Sequence, residues 1–338
     1  MPREGICADL GEAIGNTPLV YLNQIPKDAK AKIAVKLEYM NPACSVKDRI
    51  GMSMIDEAEK QGLITPGKSV LVEATAGNTG IALAFYARIK GYKLIIVLPE
   101  AMSMERRALS KAYGAEIVLA PKGMSGEKLV KYTEDLAAEI PNSYVVAQFA
   151  NDANWKAHYT TTGPEIWRQT DGKVDIICFG AGTGGTITGS GRFLREKKPE
   201  LRIYVVEPFE SSVISGLPAG QHRIPGMGAG FVPPVMDTSL FNGIIRVSSD
   251  EAIEMARRLA AEEGILGGIS SGANVHAALE LANRPENAGK LIITNICSFG
   301  ERYLSSELYS HIKDEVEKLE GMPLEEGIQV AKRYVERN

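Results

Sequence analysis

The chain has little cysteine. Four residues in 338 are Cys7, Cys44, Cys178 and Cys297, with no Cys-x-x-Cys pair. That scatter argues against a disulfide framework or a zinc cluster and fits reduced thiols in a reducing compartment. Charge of one sign is missing too. Lysine plus arginine number 38 and aspartate plus glutamate 42, a net charge of −4 without a basic run. The electrostatic footprint of a nucleic-acid binder is therefore absent. No apolar stretch reaches the roughly 18 residues of a membrane span. The first ten residues carry Glu4 and Asp9 and no apolar core, which is neither a secretory signal nor an acid-poor transit peptide. A cytoplasmic protein is expected. Hydrophobic residues at 44% and charged residues at 24% exclude disorder. At about 150 residues per domain, the length predicts two domains.

Glycine is what the chain has in excess, 34 residues with no three-residue period, so the composition is not collagen-like. Glycine serves where backbone must approach something closely or take positive φ. Between the glycines, short runs at 69–73, 92–98, 116–120, 144–148, 174–179, 202–207, 244–247 and 291–294 read as strands, and most, rich in Val and Ile with little polar alternation, read as buried on both faces. Helical patterns at 80–89, 103–112, 126–138, 250–263 and 274–282 alternate with them. The alternation predicts an α/β fold with parallel sheets, with ligands bound at the carboxyl edge. The end of the chain, 311–338, is charge-rich with a weak apolar stripe and reads as a solvated helix pair.

Four glycine-rich segments stand out. Gly180-Ala-Gly-Thr-Gly-Gly-Thr-Ile-Thr-Gly189 follows a strand and opens a helix. Gly182, Thr183, Gly184, Gly185 and Thr186 would set consecutive N–H groups and two hydroxyls at a helix N-terminus, a cup for a phosphate. The Lys-Ser/Thr ending of a Walker A loop and the spacing of a dinucleotide site are both missing. Glu73-Ala-Thr-Ala-Gly-Asn-Thr-Gly80 fits an Asn/Thr-capped helix start and a cradle for a small carboxylate equally well. The clusters at 226–230, after His222, and at 267–272 hold more glycine than a connection needs, and are expected to line a pocket.

Asn41-Pro-Ala-Cys-Ser-Val-Lys-Asp-Arg49 opens a further helix, with Ser45 as the expected N-cap and Val46, Ile50, Met54 and Ala58 on one apolar face. Lys47 then lies in the first turn. The positive helix end and partial burial both disfavour its charged form, leaving a nucleophilic amine. The ordinary alternative is a solvent lysine paired with Asp48.

Taken together, NPACSVKDRIG, EATAGNTGIALA, GPEIW, GTGGTITG, HRIPGMGAGF, EEGILGGISSGA and SFGERYLS resemble the cysteine synthase (O-acetylserine sulfhydrylase) family of pyridoxal-phosphate enzymes, in the family's order, from about Ile14 to Leu304. PFESSVI and GISSGANVHAALELANRPEN look like its animal, nematode-type branch. The resemblance implies a two-domain fold type II, like the tryptophan synthase β subunit. A smaller mobile α/β domain would span 43–153, and a larger cofactor-binding one 1–42 with 154–338. It implies pyridoxal 5′-phosphate as cofactor, no metal, and a homodimer. Lys47 matches the lysine that forms the internal aldimine and removes the α-proton. Asn78 matches the partner of the 3′ oxygen, Gly182 to Thr186 the phosphate loop, and Ser270 the serine at the pyridine nitrogen. Thr75, Ala76, Asn78, Thr79 and Gln148 match the substrate-carboxylate site, and Gly228 the active-site wall. A neutral hydroxyl at the ring nitrogen gives a milder electron sink than a carboxylate would. The implied reaction converts O-acetylserine and sulfide to cysteine and acetate through an α-aminoacrylate. The related alternative is β-cyanoalanine synthesis from cysteine and cyanide. Thr79 and Gly226 to Phe231 (GMGAGF) favour the first, because plant enzymes of the second kind tend to carry Met and GNGVGF there.

The chain departs from the pattern at three places. Ala74 and Ala76 replace a Pro and a Ser, removing one donor to the substrate carboxylate, worth about 0.5–1.5 kcal/mol. Cys297 stands where a Pro precedes Ser-Phe-Gly-Glu-Arg. Around His222 an upstream lysine is absent from the stretch that, in many relatives, helps bind the C-terminal peptide of serine acetyltransferase. A non-catalytic relative that senses a partner's C-terminal peptide is the alternative outside enzymology; retention of Lys47, Asn78, the phosphate loop and Ser270 argues against it.

Overall fold

The structure is a computed structural model and describes residues 5–336 apart from 76, 101, 102 and 125. Among the described residues ten strands form two sheets. The strands are β1 (Leu19–Tyr21), β2 (Lys32–Leu37), β3 (Val70–Ala74), β4 (Lys93–Pro99), β5 (Glu116–Ala120), β6 (Ser143–Val145), β7 (Ile176–Gly180), β8 (Arg202–Pro208), β9 (Gly243–Val247) and β10 (Leu291–Ile296). The helices are α1 (Lys47–Lys60), α2 (Asn78–Lys90), α3 (Met104–Ala112), α4 (Gly126–Ala138), α5 (Ala153–Ala157), α6 (Gly163–Gln169), α7 (Gly185–Lys197), α8 (Ser249–Glu263), α9 (Ile269–Asn283), α10 (Ser310–Glu317) and α11 (Leu324–Glu336). A π-helical turn, His158–Thr162, joins α5 to α6. No helix among the described residues is long and apolar enough to cross a membrane.

The smaller sheet has the order β5-β4-β3-β6 and is parallel throughout. The larger has the order β1-β2-β10-β7-β8-β9, parallel except for the β1–β2 pair. Successive strand side chains point to opposite faces, so apolar runs feed two cores at once. In the smaller sheet Leu71 and Ile96 pack with Ile50, Met54 and Ile81 of α1 and α2. Their neighbours Val72 and Val97 pack on the other face with Leu129 and Ala137 of α4. In the larger sheet Ile176 and Ile292 meet α8 and α9, while Ile177 and Ile293 meet Ile166 and Ile187 of α6 and α7. Both sheets are thus covered on both sides, as continuous hydrophobic strands require.

Each sheet reverses its winding at one point, where a crevice opens at the carboxyl ends of adjacent strands. In the smaller sheet this lies between β3 and β6, and in the larger between β7 and β10. Four connections follow from those strands: 75–77, 146–152, 181–184 and 297–299.

A buried ionic cluster ties α1 to the larger sheet. Arg49 is 1% exposed and Lys36 is fully buried. The Arg49 guanidinium holds Glu38 through Nε at 2.7 Å and Nη2 at 2.8 Å, and Glu165 through Nη1 at 2.7 Å and Nη2 at 2.8 Å. Lys36 Nζ lies 2.7 Å from the same Glu165 carboxylate. Two cations and two carboxylates balance, which is the condition for burying them. The cluster anchors α1 two residues beyond Lys47.

Candidate active site

Sequence-predicted residues converge on a cavity of about 400 Å³ whose lining includes Lys47, Thr75, Asn78, Thr79, Gln148, Gly182, Thr183 and Gly228. Gly184, Gly185 and Thr186 continue from Thr183 into the first turn of α7, and Ser270 lies outside the lining. Ala76 lies outside the described residues. The cluster 267–272 does not line the cavity. A Cβ on Gly268 would strike the Tyr303 ring at 2.5 Å, and one on Gly272 would strike the Ala252 carbonyl at 2.0 Å, so these glycines serve helix packing.

Lys47 is the first residue of α1 and follows Val46, not Ser45, as the N-cap. Ser45 Oγ still accepts from Lys47 N, at 3.2 Å. Asp48 is no partner for Lys47: its carboxylate accepts from Ala43 N at 2.6 Å and from Ser45 Oγ at 3.3 Å. Burial pushes the Asp48 carboxyl up to about 7. Among the described residues the Lys47 amine has no hydrogen-bond partner. Burial pulls its pKa below the lysine range, with Cys297 acting the other way. The result is a desolvated, unpaired amine facing a cavity.

The turn expected to cup a phosphate is built by close approach. A Cβ on Gly182 would lie 2.3 Å from the Gly226 carbonyl oxygen, so only glycine fits. Gly184, the N-cap of α7, takes the left-handed conformation at φ 79°. Thr183 Oγ1 accepts from Asn154 Nδ2 at 3.1 Å, and Thr186 Oγ1 lies 3.3 Å from His158 Nε2. His158 is fully enclosed, and burial, aided by the Arg49 charge, pulls it down to about 3, so it is neutral.

On the opposite wall, Asn78 opens α2 and its Oδ1 accepts from Arg302 Nη1 at 2.8 Å. Arg302 also donates to the Ala43 carbonyl. Thr79 Oγ1 donates to Gln148 Oε1 at 2.6 Å, and Gln148 Nε2 donates to the Ala74 carbonyl at 2.9 Å. Beneath them Glu73 is buried and accepts from Gln148 N at 3.4 Å, and burial pushes its carboxyl up to about 8. Because this pKa is raised in the folded state, the stability it contributes is complete below the ordinary Glu value and fades as pH rises through about 8. Glu73→Gln, which mimics the protonated form, is expected to flatten that fall while costing less than about 1 kcal/mol near pH 6. Urea midpoints between pH 5 and 9 test this, and an unchanged slope contradicts it.

Sequence reasoning missed several neighbours. Arg302, Asn154 and His158 act on predicted site residues from outside the lining, whereas Arg106 and Phe149 line the cavity itself. Arg302 lies within the SFGERYLS motif and so had a signal. Arg106 had none, since a charged residue on a surface helix reads as solvated. Cys297 lies beside Ser270 and Lys47, and burial pushes its thiol up.

The glycine turn at the start of α7, an unpaired, half-buried lysine and the first residues of α2 all face or adjoin one cavity, an arrangement into which pyridoxal phosphate would fit. The structure fits the cofactor because the amine is free and the cup has the close backbone approach that a Cβ would close. The chain belongs to the pyridoxal-phosphate dependent enzyme family, whose model matches residues 10–298. Within it, the chain is of the cysteine synthase type. It is 58% identical over 335 residues to cysteine synthase 3 of Caenorhabditis elegans, covering 99% of both chains. A Staphylococcus aureus cysteine synthase is 47% identical over 303 residues, 89% of this chain and 97% of that one. The crystal structure of an Entamoeba histolytica cysteine synthase superposes with a TM-score of 0.86 at 40% identity, covering 96% of this chain and 94% of that one.

Proposed function

We propose that the protein converts O-acetylserine and sulfide to cysteine and acetate. The observation that carries this reading is the unpaired, desolvated Lys47 amine facing the loop at 75–79 across one cavity. Lys47, Asn78, the cup from Gly182 to Thr186 and Ser270 would hold pyridoxal phosphate. When bound, that group supplies an electron-withdrawing ring that stabilises negative charge at the substrate Cα. Lys47 Nζ takes the proton from Cα and later returns it, for which a lowered pKa suits it. Thr75, Asn78, Thr79 and Gln148 orient the substrate by its carboxylate at the N-terminus of α2. Gly228 leaves room for the side chain, whose Cβ–O bond breaks and whose Cβ–S bond then forms. The apolar wall of Phe149, Leu129 and Met227 excludes water from Cβ.

The reading includes residues 43–153 as the unit that closes on the substrate, with 1–42 and 154–338 as its base. It also includes a cytoplasmic homodimer, for which the family resemblance is the support. His222 hydrogen-bonds the Gly228 carbonyl at 3.1 Å, and Arg223 is engaged by Glu307 and Asp250. With those groups engaged, the serine acetyltransferase peptide loses its basic contacts, and no such complex is included. The test is cysteine formation by the cofactor-loaded protein given O-acetylserine and sulfide. Silence to that pair, with turnover of cysteine plus cyanide, would replace the reading with β-cyanoalanine synthesis.

A further inference from the structure

Arg106 is a buried cation without a partner. It lies on α3 and is 6% exposed. Among the described residues it makes no ion pair, and its buried Nε has no hydrogen-bond acceptor. Its guanidinium stands over the Tyr303 ring at 5.4 Å. That contact is favourable but accepts no N–H. Natural structures seldom bury a guanidinium this way, because an uncompensated charge and orphaned donors are both costly. A missing anion accounts for the arrangement.

The place of the guanidinium says which anion. Arg106 lines the cavity that Lys47 lines. Its Nε lies 2.7 Å from where a Cβ on Gly77 would stand, so it backs the loop that opens α2. Among the described residues no aspartate or glutamate lines the cavity. The loop's neutral groups are largely spent on one another: Thr79 donates to Gln148, Gln148 to the Ala74 carbonyl, and Gly77 N to Thr75 Oγ1 at 3.2 Å. Lys47 is committed to the cofactor and Arg302, spent on Asn78 Oδ1, lies outside the lining, leaving Arg106 as the arginine that lines this wall.

We propose that Arg106 is a binding residue that recognises the α-carboxylate of an amino-acid substrate across Gly77, supplying the charge that the loop at 75–79 lacks. The proposal rests on the amino-acid reading of the site, though not on which replacement reaction follows. It explains why the loop tolerates alanine at position 76, since the lost hydroxyl was a neutral donor and the cation remains.

The experiment titrates the cofactor-loaded protein with L-serine and with L-serinamide, which lacks the carboxylate charge, and follows visible absorption and heat of binding. The wild-type protein should prefer L-serine. Arg106→Gln should weaken L-serine binding between about 10- and 100-fold, the range of a charge-assisted hydrogen bond, and leave L-serinamide unchanged. Arg106→Lys should restore most of the preference. Equal weakening of both ligands would mean a structural role and overturn the proposal, as would a wild-type protein without preference. If Arg106→Gln does not fold, Arg106→Lys decides: retained preference supports the proposal, and lost preference overturns it. Failure of the cysteine synthase reading appears separately, as L-serine preference without cysteine formation from O-acetylserine and sulfide.

Discussion

Lys47→Ala yields a folded protein that makes no cysteine and lacks the visible absorption of lysine-bound pyridoxal phosphate. Turnover should fall at least about 1,000-fold, because one amine holds the cofactor and moves the proton at Cα. The fold should not suffer. Among the described residues the Lys47 amine has no hydrogen-bond partner, and burial already disfavours its charge, so truncation removes an unfavourable group. Val46, Ile50 and Met54, which pack α1, are untouched. The urea midpoint should therefore stay level or rise. A variant that kept both colour and turnover would move the chemistry to another residue, and a variant that unfolded would make Lys47 structural.

The largest loss of stability should come from Arg49. Arg49→Met leaves Glu38 and Glu165 buried with Lys36 as the remaining cation among the described residues, and breaking such a set typically costs about 3–5 kcal/mol. Urea unfolding at pH 7 measures it, and a change under about 1 kcal/mol would show that water or rearrangement relieves the site. A pH series sharpens the test. Burial alone would push Glu38 and Glu165 up, but the Arg49 charge and hydrogen bonds hold both down at about 2. A depressed carboxyl contributes stability that is full above its unfolded value and is lost as pH falls toward the folded one. The wild-type protein should thus lose this contribution between about pH 4.5 and 2, and Arg49→Met should flatten that part of the curve.

Much of this was legible in the sequence, for physical reasons. Strands buried on both faces must be continuously apolar, which made β3, β4, β7, β8 and β10 readable; the sheet-edge strands β5, β6 and β9 are only partly buried, yet 116–120 matches β5 end to end, while 144–148 overshoots the shorter β6. β1 is three residues long, and β2 carries Lys32 and Lys36. Lys36 looks like a surface residue until Glu165 is brought to it from far along the chain. Apart from the GPEIW motif, the helical structure of 153–169 was not read, because the stretch is broken into α5, a π turn and α6, which no single period describes. The site was legible where chemistry needs glycine or a motif, at 75–80 and 180–189. It was illegible where a role depends on what a charge lacks. Arg106 is buried against Gly77, whereas its neighbour Arg107 is half-buried and donates to the Glu100 carbonyl, a distinction that helix phase sets and composition hides.

The strand order also dictates a schedule for synthesis. All four strands of the smaller sheet lie within 70–145, so that sheet has its complete set of pairing partners while the ribosome is still making the rest. The larger sheet has to wait. β2 is made early, yet its parallel partner β10 ends at Ile296, so an edge of β2 stays open through some 250 residues of elongation. A nascent chain should therefore gain protease resistance in 70–145 first, and β2 should be the segment most in need of a chaperone until β10 emerges.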